Sequence, residues 1–383
     1  MTRRGQGAAN RSRNGRRERI RWAVVGQGHF AQTSILPAFA HAGENSELVA
    51  IFSGDERKRR QLARRHHAEF ALPYEELDDF LRSGQVQAVY IAVPNHRHKA
   101  LTLAAARAGV HVLCEKPMAV TSRDCRDMIA ACEDNRVKLM IAYRLHLERA
   151  NLTAVDEIRR GRIGEPRYFT SSYSFQLDDE NVRGLPTDEG GGPLFDIGIY
   201  CINAARYLFA DEPIEATALT ATGPDDPRFA QTEEQVSAVL RFPGERLATF
   251  TVGFGASSVS RYTVAGSTGS LTLEPAYTHS GRRQLQVEGR RSRKMTFPDR
   301  DQVAPELVYF ADCILHDGEP EPSGWEGLHD VAVIEAIMDS ARTGRKIGIE
   351  LEQRRQRPTK AQAIDKPPAR EPSPIRAEAP RGG

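Results

Sequence analysis

A lysine, an aspartate and a tyrosine in this sequence have the types and spacing that proton chemistry on a hydroxyl group requires. Lys116 stands in Glu115-Lys116-Pro117, directly after an apolar run typical of a buried strand. Asp196 and Tyr200 are four residues apart, so on a helix they share one face. A carboxylate and a phenol so placed can hold a polyol and pass a proton, and a nearby ammonium stabilises a phenolate. Taken singly, Lys116 is better explained as a solvated surface lysine after a strand. The Asp196–Tyr200 pair is equally explained as a helix cap beside a half-buried tyrosine.

A second group of residues could hold a dinucleotide. The stretch GQGHFA at residues 26–31 fits the pattern GxGxxG/A. The first glycine of this pattern permits a tight turn, the second lets the backbone approach a diphosphate, and the final small residue lets the next helix pack closely. The N-terminus of that helix adds free N–H groups and a partial positive charge. We therefore predict cofactor contacts from Gly26, Gly28, His29, Phe30 and Ala31.

The choice between NAD and NADP is made where the second strand of such a fold ends. Ser53-Gly54, followed by Arg57 and Lys58, offers space and positive charge to a 2′-phosphate, which favours NADP. Asp55 keeps NAD open, because its carboxylate could instead accept hydrogen bonds from the ribose hydroxyls. We expect NADP, with NAD as the alternative, and we place Ser53, Gly54 and Lys58 in the cofactor site.

Alternating strands and helices position these groups. Apolar runs without polar alternation predict a parallel sheet that helices cover on both faces, in the doubly wound Rossmann form. The predicted strands are Ile20–Val25, Leu48–Phe52, Ala88–Val93, Val110–Cys114 and Lys138–Ala142. The predicted helices are Ser34–His41, a helix capped by Asp55 that runs through Ala68, His96–Ala108 and Thr121–Asn135. Lys116 and the glycine turn then lie at carboxyl ends of strands, where such sheets bind ligands.

From Pro166 onward, longer alternating segments predict a C-terminal α+β domain built on a mainly antiparallel open sheet. Its predicted strands are Arg167–Ser174, Ile214–Thr222, Gln235–Phe242, Arg246–Phe254, Ser258–Ala265 and Gly269–Leu273. Two late helices, Glu306–His316 and Gly327–Thr343, are expected to pack back on the first domain. One face of such a sheet can meet a second copy, so we expect a homodimer or homotetramer. The α/β chain thus divides into a Rossmann domain at 20–143 and a substrate-binding and oligomerisation domain at 144–350.

Composition excludes several classes of protein. The 53 basic and 51 acidic residues give a formal charge of +2, which argues against a nucleic-acid partner. No run approaches the ~18 apolar residues of a membrane span. Neither the arginine-rich residues 1–19 nor the Pro-, Arg- and Glu-rich residues 351–383 show apolar periodicity, so we expect a disordered basic arm and a disordered tail. Without an apolar signal stretch, we expect the cytoplasm. Five cysteines without close CxxC spacing predict reduced core thiols and no metal site.

Taken together, these motifs resemble the Gfo/Idh/MocA oxidoreductases over roughly residues 20–347. The motifs are the glycine turn, VPNHRH at 93–98, AGVH at 108–111, EKP at 115–117, YR at 143–144 and GGGPLFDIGIY at 190–200. Within the family, the chain is most similar to the glucose-fructose oxidoreductase and aldose dehydrogenase branches. Those branches carry tyrosine at the position of Tyr200, where many members have histidine.

The resemblance implies that a sugar binds between the two domains, above the nicotinamide. It implies that Lys116 orients the sugar, Asp196 holds its hydroxyls and Tyr200 exchanges the proton, which points to a cyclic aldose oxidised at C1. Arg183 is a further expected sugar contact, while Arg144 is equally explained as a member of a structural ion pair. The remaining expected cofactor contacts are Pro94, Asn95, His98, Glu115, Lys116 and Arg144.

Three hypotheses of function follow. The first is an NAD(P)-dependent oxidoreductase that transfers a hydride between a cyclic sugar and the nicotinamide. The second is a non-catalytic sensor of a sugar or dinucleotide with the same fold. The third is a dehydrogenase of a non-sugar cyclic diol, because the same hydride geometry serves several carbons. A sensor has no need to keep Lys116, Asp196 and Tyr200 together, so the first hypothesis is favoured over the second.

Overall fold

Six parallel strands form the first sheet of the molecule, which we describe from a computed structural model covering residues 18–177, 182–353 and 356–377, with only the backbone of Val182. The strand order is β3-β2-β1-β4-β5-β6, and every pairing is parallel. The strands are β1 (Ile20–Val25), β2 (Ser46–Phe52), β3 (Phe70–Leu72), β4 (Ala88–Ile91), β5 (His111–Cys114) and β6 (Leu139–Ile141). This is the doubly wound order of dinucleotide-binding domains, as the sequence predicts.

Helices cover both faces of this sheet, so its strands are buried on both sides. From Trp22 to Val25, every side chain of β1 is fully buried. The helices are α1 (Leu36–Ala38), α2 (Glu56–His66), α3 (Leu77–Arg82), α4 (His98–Arg107) and α5 (Ser122–Asp134). A π turn, Ala31–Ile35, leads into α1. Asp55 caps α2 as predicted, because its carboxylate accepts a hydrogen bond from the Lys58 backbone N–H.

A nine-stranded sheet forms the second domain, in the order β14-β13-β12-β11-β7-β10-β9-β8-β15. All neighbouring pairs are antiparallel except β7 with β10. The strands are β7 (Pro166–Gln176), β8 (Glu215–Ala221), β9 (Gln235–Phe242), β10 (Arg246–Gly253), β11 (Gly255–Gly266), β12 (Ser270–Glu274), β13 (Arg283–Glu288), β14 (Arg293–Phe297) and β15 (Ile347–Gly348). The predicted α/β class, with a mainly antiparallel second sheet, is confirmed.

Four further helices complete the structure: α6 (Arg149–Arg159), α7 (Ile199–Phe209), α8 (Ala304–Leu315) and α9 (Gly324–Thr343). As predicted, the two late helices pack back on the first domain. Helix α8 lies against β1, where the Phe310 and Trp22 rings are 5.9 Å apart, and α9 lies against α5. All five cysteines are buried and unpaired. Among the helices within the described ranges, none is both long and apolar enough to cross a bilayer.

The segment after residue 350 differs from the sequence-based expectation of a disordered tail. Residues 356–377 lie along the outside of both domains, with Arg357 bonded to Glu212, Gln362 to Glu321 and Ile375 to Gln32. The prediction does not hold over these residues, because widely spaced apolar and polar side chains find partners on a surface that composition cannot reveal. The predicted basic arm lies, through residue 17, outside the described residues.

Candidate active site

The glycine turn joins β1 to the first helical turn and has the geometry that a diphosphate requires. Gly26 has φ = +98°, and a Cβ on it would lie 2.2 Å from the Ala92 carbonyl oxygen, so only glycine fits there. A Cβ on Gly28 would instead meet no atom within 4 Å. The backbone of Gly28 therefore faces open space, which is the cradle that a phosphate group would fill. His29 and Phe30 are half-buried beside it, and Ala31 is buried against the sheet.

The end of β2 carries the residues that would meet the adenosine ribose. Ser53 is buried and its Oγ accepts a hydrogen bond from the Asp55 N–H at 3.3 Å, while Gly54 is exposed and Lys58 half-buried. Both carboxylate oxygens of Asp55 are already engaged. Oδ1 accepts from the Lys58 N–H at 2.9 Å, and Oδ2 lies 3.1 Å from Nη1 of Arg376. A capped helix and an ion pair thus compete with any contact from Asp55 to a ribose.

Lys116, Asp196 and Arg183 meet in one cluster, which we call the open cluster. Lys116 follows β5, and its Nζ donates to the Asp196 backbone oxygen at 2.7 Å and to Oδ1 at 3.0 Å. The other carboxylate oxygen, Oδ2, accepts from Nε of Arg183 at 2.5 Å. Asp196 is held in a π turn, Leu194–Gly198, that leads into α7. Two cations therefore share one carboxylate at the mouth between the domains.

Tyr200 lies on α7 directly beside this cluster. Its ring centroid is 4.8 Å from Nζ of Lys116 and 4.9 Å from Cζ of Arg144, within the range of cation–π attraction. The rings of Tyr173 and Tyr277 flank it at 6.1 and 6.0 Å. The ring is thereby fixed on several sides. Its hydroxyl, in contrast, has no hydrogen-bond partner among residues 18–177, 182–353 and 356–377, so it is available to a ligand.

The charges in the open cluster stabilise one another. Burial acts to raise the pKa of Asp196, but the Arg183 and Lys116 cations outweigh it and hold that pKa well below its usual range. Burial likewise acts to lower the pKa of Lys116, yet the Asp196 carboxylate and the Tyr200 hydroxyl group raise it overall. Asp196 is therefore a carboxylate and Lys116 an ammonium at neutral pH. Neither group is placed to act as the proton acceptor.

Several predicted cofactor residues lie behind this cluster and shape the loops around it. His98 is fully buried, with its ring nitrogens 2.9 Å from the backbone oxygens of Pro117 and Val93. It thus ties together the loops after β4 and β5. Glu115 accepts from the Tyr90 hydroxyl at 2.7 Å and from the Lys116 N–H at 3.2 Å, which orients the lysine.

Asn95 and Arg144 link the two domains. Asn95 donates to the Gly190 backbone oxygen at 2.7 Å, next to exposed Pro94. Arg144 is buried and donates to the backbone oxygens of Thr278 and Tyr277 and to the side chain of Gln302, besides lying over the Tyr200 ring. Its hydrogen-bond acceptors here are neutral. Within the described ranges, Arg144 thus contacts the Tyr200 ring and neutral acceptors rather than a carboxylate.

Sequence reasoning missed the support around Tyr200. Tyr173, Tyr277 and Gln302 come from β7, the loop after β12 and the segment before α8, far apart along the chain. Nothing in their local spacing marks them, since each becomes informative only when the second sheet folds. The same is true of the contact between Arg376 and Asp55.

Comparison with known proteins identifies the same two domains that the structure shows. Residues 20–143 match the model of an oxidoreductase family with an NAD-binding Rossmann fold, and residues 152–272 match the model of a GFO/IDH/MocA C-terminal domain. An NADP-dependent D-xylose 1-dehydrogenase from Haloarcula marismortui is 32% identical over 86% of this chain and 93% of its own.

Solved structures extend the comparison. An aldose-aldose oxidoreductase from Caulobacter crescentus, solved with glycerol, is 34% identical with a TM-score of 0.82, covering 87% of this chain and all of its own. A 3-ketoreductase from Actinomadura kijaniata, solved with NADP, is 26% identical with a TM-score of 0.75, covering 84% of this chain and 98% of its own. With both domain models matched and the cleft between them lined by EKP and the Asp196–Tyr200 pair, the chain belongs to the Gfo/Idh/MocA family of oxidoreductases.

Proposed function

We propose that this chain is an NADP-preferring oxidoreductase that oxidises a CH–OH group of a cyclic sugar, with the C1 hydroxyl of an aldose as its substrate group. The carrying observation is the Tyr200 hydroxyl, which has no partner in the described chain while its ring is held between the cations of Lys116 and Arg144. Relatives named as a xylose dehydrogenase and an aldose-aldose oxidoreductase support the sugar as substrate.

In this proposal each residue of the cleft has its own role. Asp196 accepts hydrogen bonds from sugar hydroxyls, and Arg183 donates to them. Lys116 donates to the reacting oxygen and holds positive charge beside it. Tyr200 acts as a phenolate, which the adjacent cations stabilise, and its oxygen takes the hydroxyl proton to become a neutral phenol. A nicotinamide held beside these residues would supply the acceptor for the hydride that leaves the sugar carbon.

The residues around the glycine turn and β2 fit a phosphorylated dinucleotide. The open space at Gly28 would take the diphosphate, with His29, Phe30 and Ala31 around it. Ser53, Gly54 and Lys58 would surround the 2′-phosphate, and Asp55, held by its cap and by Arg376, is not free to bind the 2′-hydroxyl of NAD. Pro94, Asn95, His98, Glu115 and Arg144 would form or support the wall on the nicotinamide side.

We also propose that the chain forms a homodimer or homotetramer through the outer face of its nine-stranded sheet. Of the six large hydrophobic side chains that are exposed among the described residues, four lie on neighbouring strands of this face: Tyr168, Leu219, Val239 and Leu247. A second copy of the chain carries the same apolar face, so the two faces would cover each other. Sedimentation of the purified chain tests this, and a monomer at micromolar concentration would contradict it.

A substrate panel tests the proposed activity. The purified chain is incubated with aldoses, polyols and a cyclic non-sugar diol, with NADP and NAD in separate series, and the absorbance of reduced cofactor is followed. We expect oxidation of at least one aldose, faster with NADP than with NAD. Tight cofactor binding without turnover on any compound would support the sensor instead, and turnover on the diol alone would support the third hypothesis. A preference for NAD would contradict the roles of Ser53 and Lys58.

A further inference from the structure

The described end of the chain reaches the cofactor edge of the Rossmann domain. After crossing from the second domain, residues 371–376, which we call the terminal segment, lie beside the glycine turn and the end of β2. The Ile375 N–H donates to Oε1 of Gln32 at 2.7 Å, and Nε2 of Gln32 donates back to the Ile375 oxygen at 3.1 Å. This pair of bonds fixes the segment to the helical turn that follows the glycine motif.

Two further hydrogen bonds, one from Gln32 and one to Ser373, extend this attachment. Gln32 is fully buried, and its Nε2 also donates to the Gln27 oxygen inside the glycine turn. The Ser373 oxygen accepts from Nη1 of Arg65 at 2.9 Å, on α2. The terminal segment therefore spans from the turn that would hold the diphosphate to the helix that begins at the ribose end of the site.

Arg376 brings a cation to the point where the chain would discriminate between the two dinucleotides. Its Nη1 lies 3.1 Å from Oδ2 of Asp55, two residues after Ser53, and the two side chains keep 58% and 29% of their surface exposed. Without this partner, the Asp55 carboxylate would repel a phosphate with about two negative charges. With it, the site gains a planar donor suited to phosphate oxygens.

We propose that the terminal segment forms the outer wall of the adenosine end of the cofactor site, and that Arg376 selects the dinucleotide that carries a 2′-phosphate. This inference rests on the proposed NADP preference, and it assigns part of that preference to a residue from the far end of the chain. Arg376 acts by neutralising Asp55 and by donating to the phosphate together with Ser53 and Lys58. Bound phosphate on Arg376 and the Gln32–Ile375 bonds then hold two adjoining residues of the segment in place.

Direct binding measurements on the full chain test the inference. The dissociation constants of NADPH and NADH are measured by fluorescence titration for the wild type, Arg376→Ala, Arg376→Lys and the control Arg370→Ala, an exposed arginine of the same tail. We expect Arg376→Ala to weaken NADPH binding about tenfold without weakening NADH binding, because it removes a contact to the 2′-phosphate and releases Asp55. Arg376→Lys should retain most of the NADPH affinity, and Arg370→Ala all of it.

Hydrogen exchange gives a second readout that needs no turnover. NADPH should slow exchange in residues 371–376 of the wild type, and NADH should slow it less. An NADPH-to-NADH affinity ratio that Arg376→Ala leaves at the wild-type value, or a terminal segment that NADPH does not protect, would overturn this inference alone. A wild type that binds neither dinucleotide would overturn the proposed function as well, so the two failures are distinguishable.

Discussion

Two ion clusters lie about three helical turns apart on one helical stretch, and they use their charges in opposite ways. The open cluster of Lys116, Asp196 and Arg183 lies at the start of α7, with side chains that keep 11%, 22% and 29% of their surface exposed. The second, which we call the closed cluster, consists of Arg206, Glu212, Glu326 and Asp330. Its side chains are at most 2% exposed.

The closed cluster satisfies its charges within the protein. Arg206 pairs with Glu212 at 2.6 Å, with Glu326 at 3.0 Å and with Asp330. Burial raises the pKa of Asp330 to about 6, although Arg206 acts against that change. Asn203 donates to both Glu326 and Asp330 and so completes the network. These contacts join α7 to α9.

In the closed cluster three carboxylates face the one guanidinium of Arg206, whereas in the open cluster the cations are in excess. Two cations share the one carboxylate of Asp196, and Lys116 also faces the Tyr200 ring. An excess of positive charge at a partly exposed site favours an anion, such as a phenolate or a developing alkoxide. The comparison teaches that an ion pair beside the cleft is not by itself a structural element. The exposure of the side chains and the sign of the excess charge distinguish a cluster that can meet a ligand from one that only joins helices.

The largest expected effect comes from breaking the closed cluster. Arg206→Met leaves three buried carboxylates without their shared cation, so we expect the free energy of unfolding to fall by about 3–5 kcal/mol. Chemical denaturation measures it. The control is Arg241→Met, which removes a surface arginine paired with Glu245 and should cost at most about 1 kcal/mol. Equal costs for the two variants would contradict the structural role of the closed cluster.

Breaking the open cluster should affect turnover rather than folding. Lys116→Met removes the donor beside the reacting oxygen, and we expect kcat for the aldose to fall about 10²–10³-fold. Because Arg183 still pairs with Asp196, the free energy of unfolding should change by no more than about 1 kcal/mol. Lys99→Met, which breaks surface pairs with Asp124 and Asp127, should leave kcat unchanged. A large loss of stability in Lys116→Met with kcat preserved would make the open cluster structural too.

Beside the closed cluster, His146 should make the stability of the protein depend on pH. His146 is buried between Glu321 and Asn203; burial acts to lower its pKa, but Glu321 raises it to about 9 from the ordinary 6.5. A raised histidine pKa adds stability that is complete below the unfolded value and is lost as pH rises through the folded value. We expect His146 to contribute about 3 kcal/mol near pH 6 and none near pH 10.

Denaturation curves of the wild type and His146→Gln across that pH range measure the effect. Subtracting the two removes the contributions of other buried groups, which both proteins share. The stability difference should shrink as the pH rises from about 6.5 to about 9. A difference that stays constant with pH would show that His146 is neutral in the folded protein.

The sequence predicts the Rossmann half well because its signals are local. Each buried strand is a short apolar run, the glycine turn is contiguous, and the cap at Asp55 needs only three residues. The spacing of Asp196 and Tyr200 similarly marks two residues that both lie against Lys116 in the structure. These features depend on neighbours along the chain, which a sequence displays directly.

What escaped prediction depends on distant partners. Strand β13 begins with Arg283 on its buried side, and β14 begins with two exposed cations, so the apolar alternation of each strand is short. Arg206 stands in an apolar helix with nothing nearby in the sequence to identify Glu326 and Asp330 as its partners. Residues 356–377 have the composition of a disordered segment, yet Ile364 and Ile375 pack on the first domain. Such contacts are set by the tertiary fold, not by local propensity.

The role of Tyr200 is the central claim, and one pair of variants tests it most directly. Tyr200→Phe keeps the ring between Lys116 and Arg144 and removes only the hydroxyl, whereas Tyr173→Phe alters a neighbouring ring whose pKa burial raises out of the useful range. The measurement is kcat for the oxidised aldose across the pH range, together with NADPH affinity. We predict that Tyr200→Phe lowers kcat about 10²–10⁴-fold at every pH with NADPH binding intact, while Tyr173→Phe retains turnover. Near-wild-type turnover of Tyr200→Phe at every pH would contradict the account.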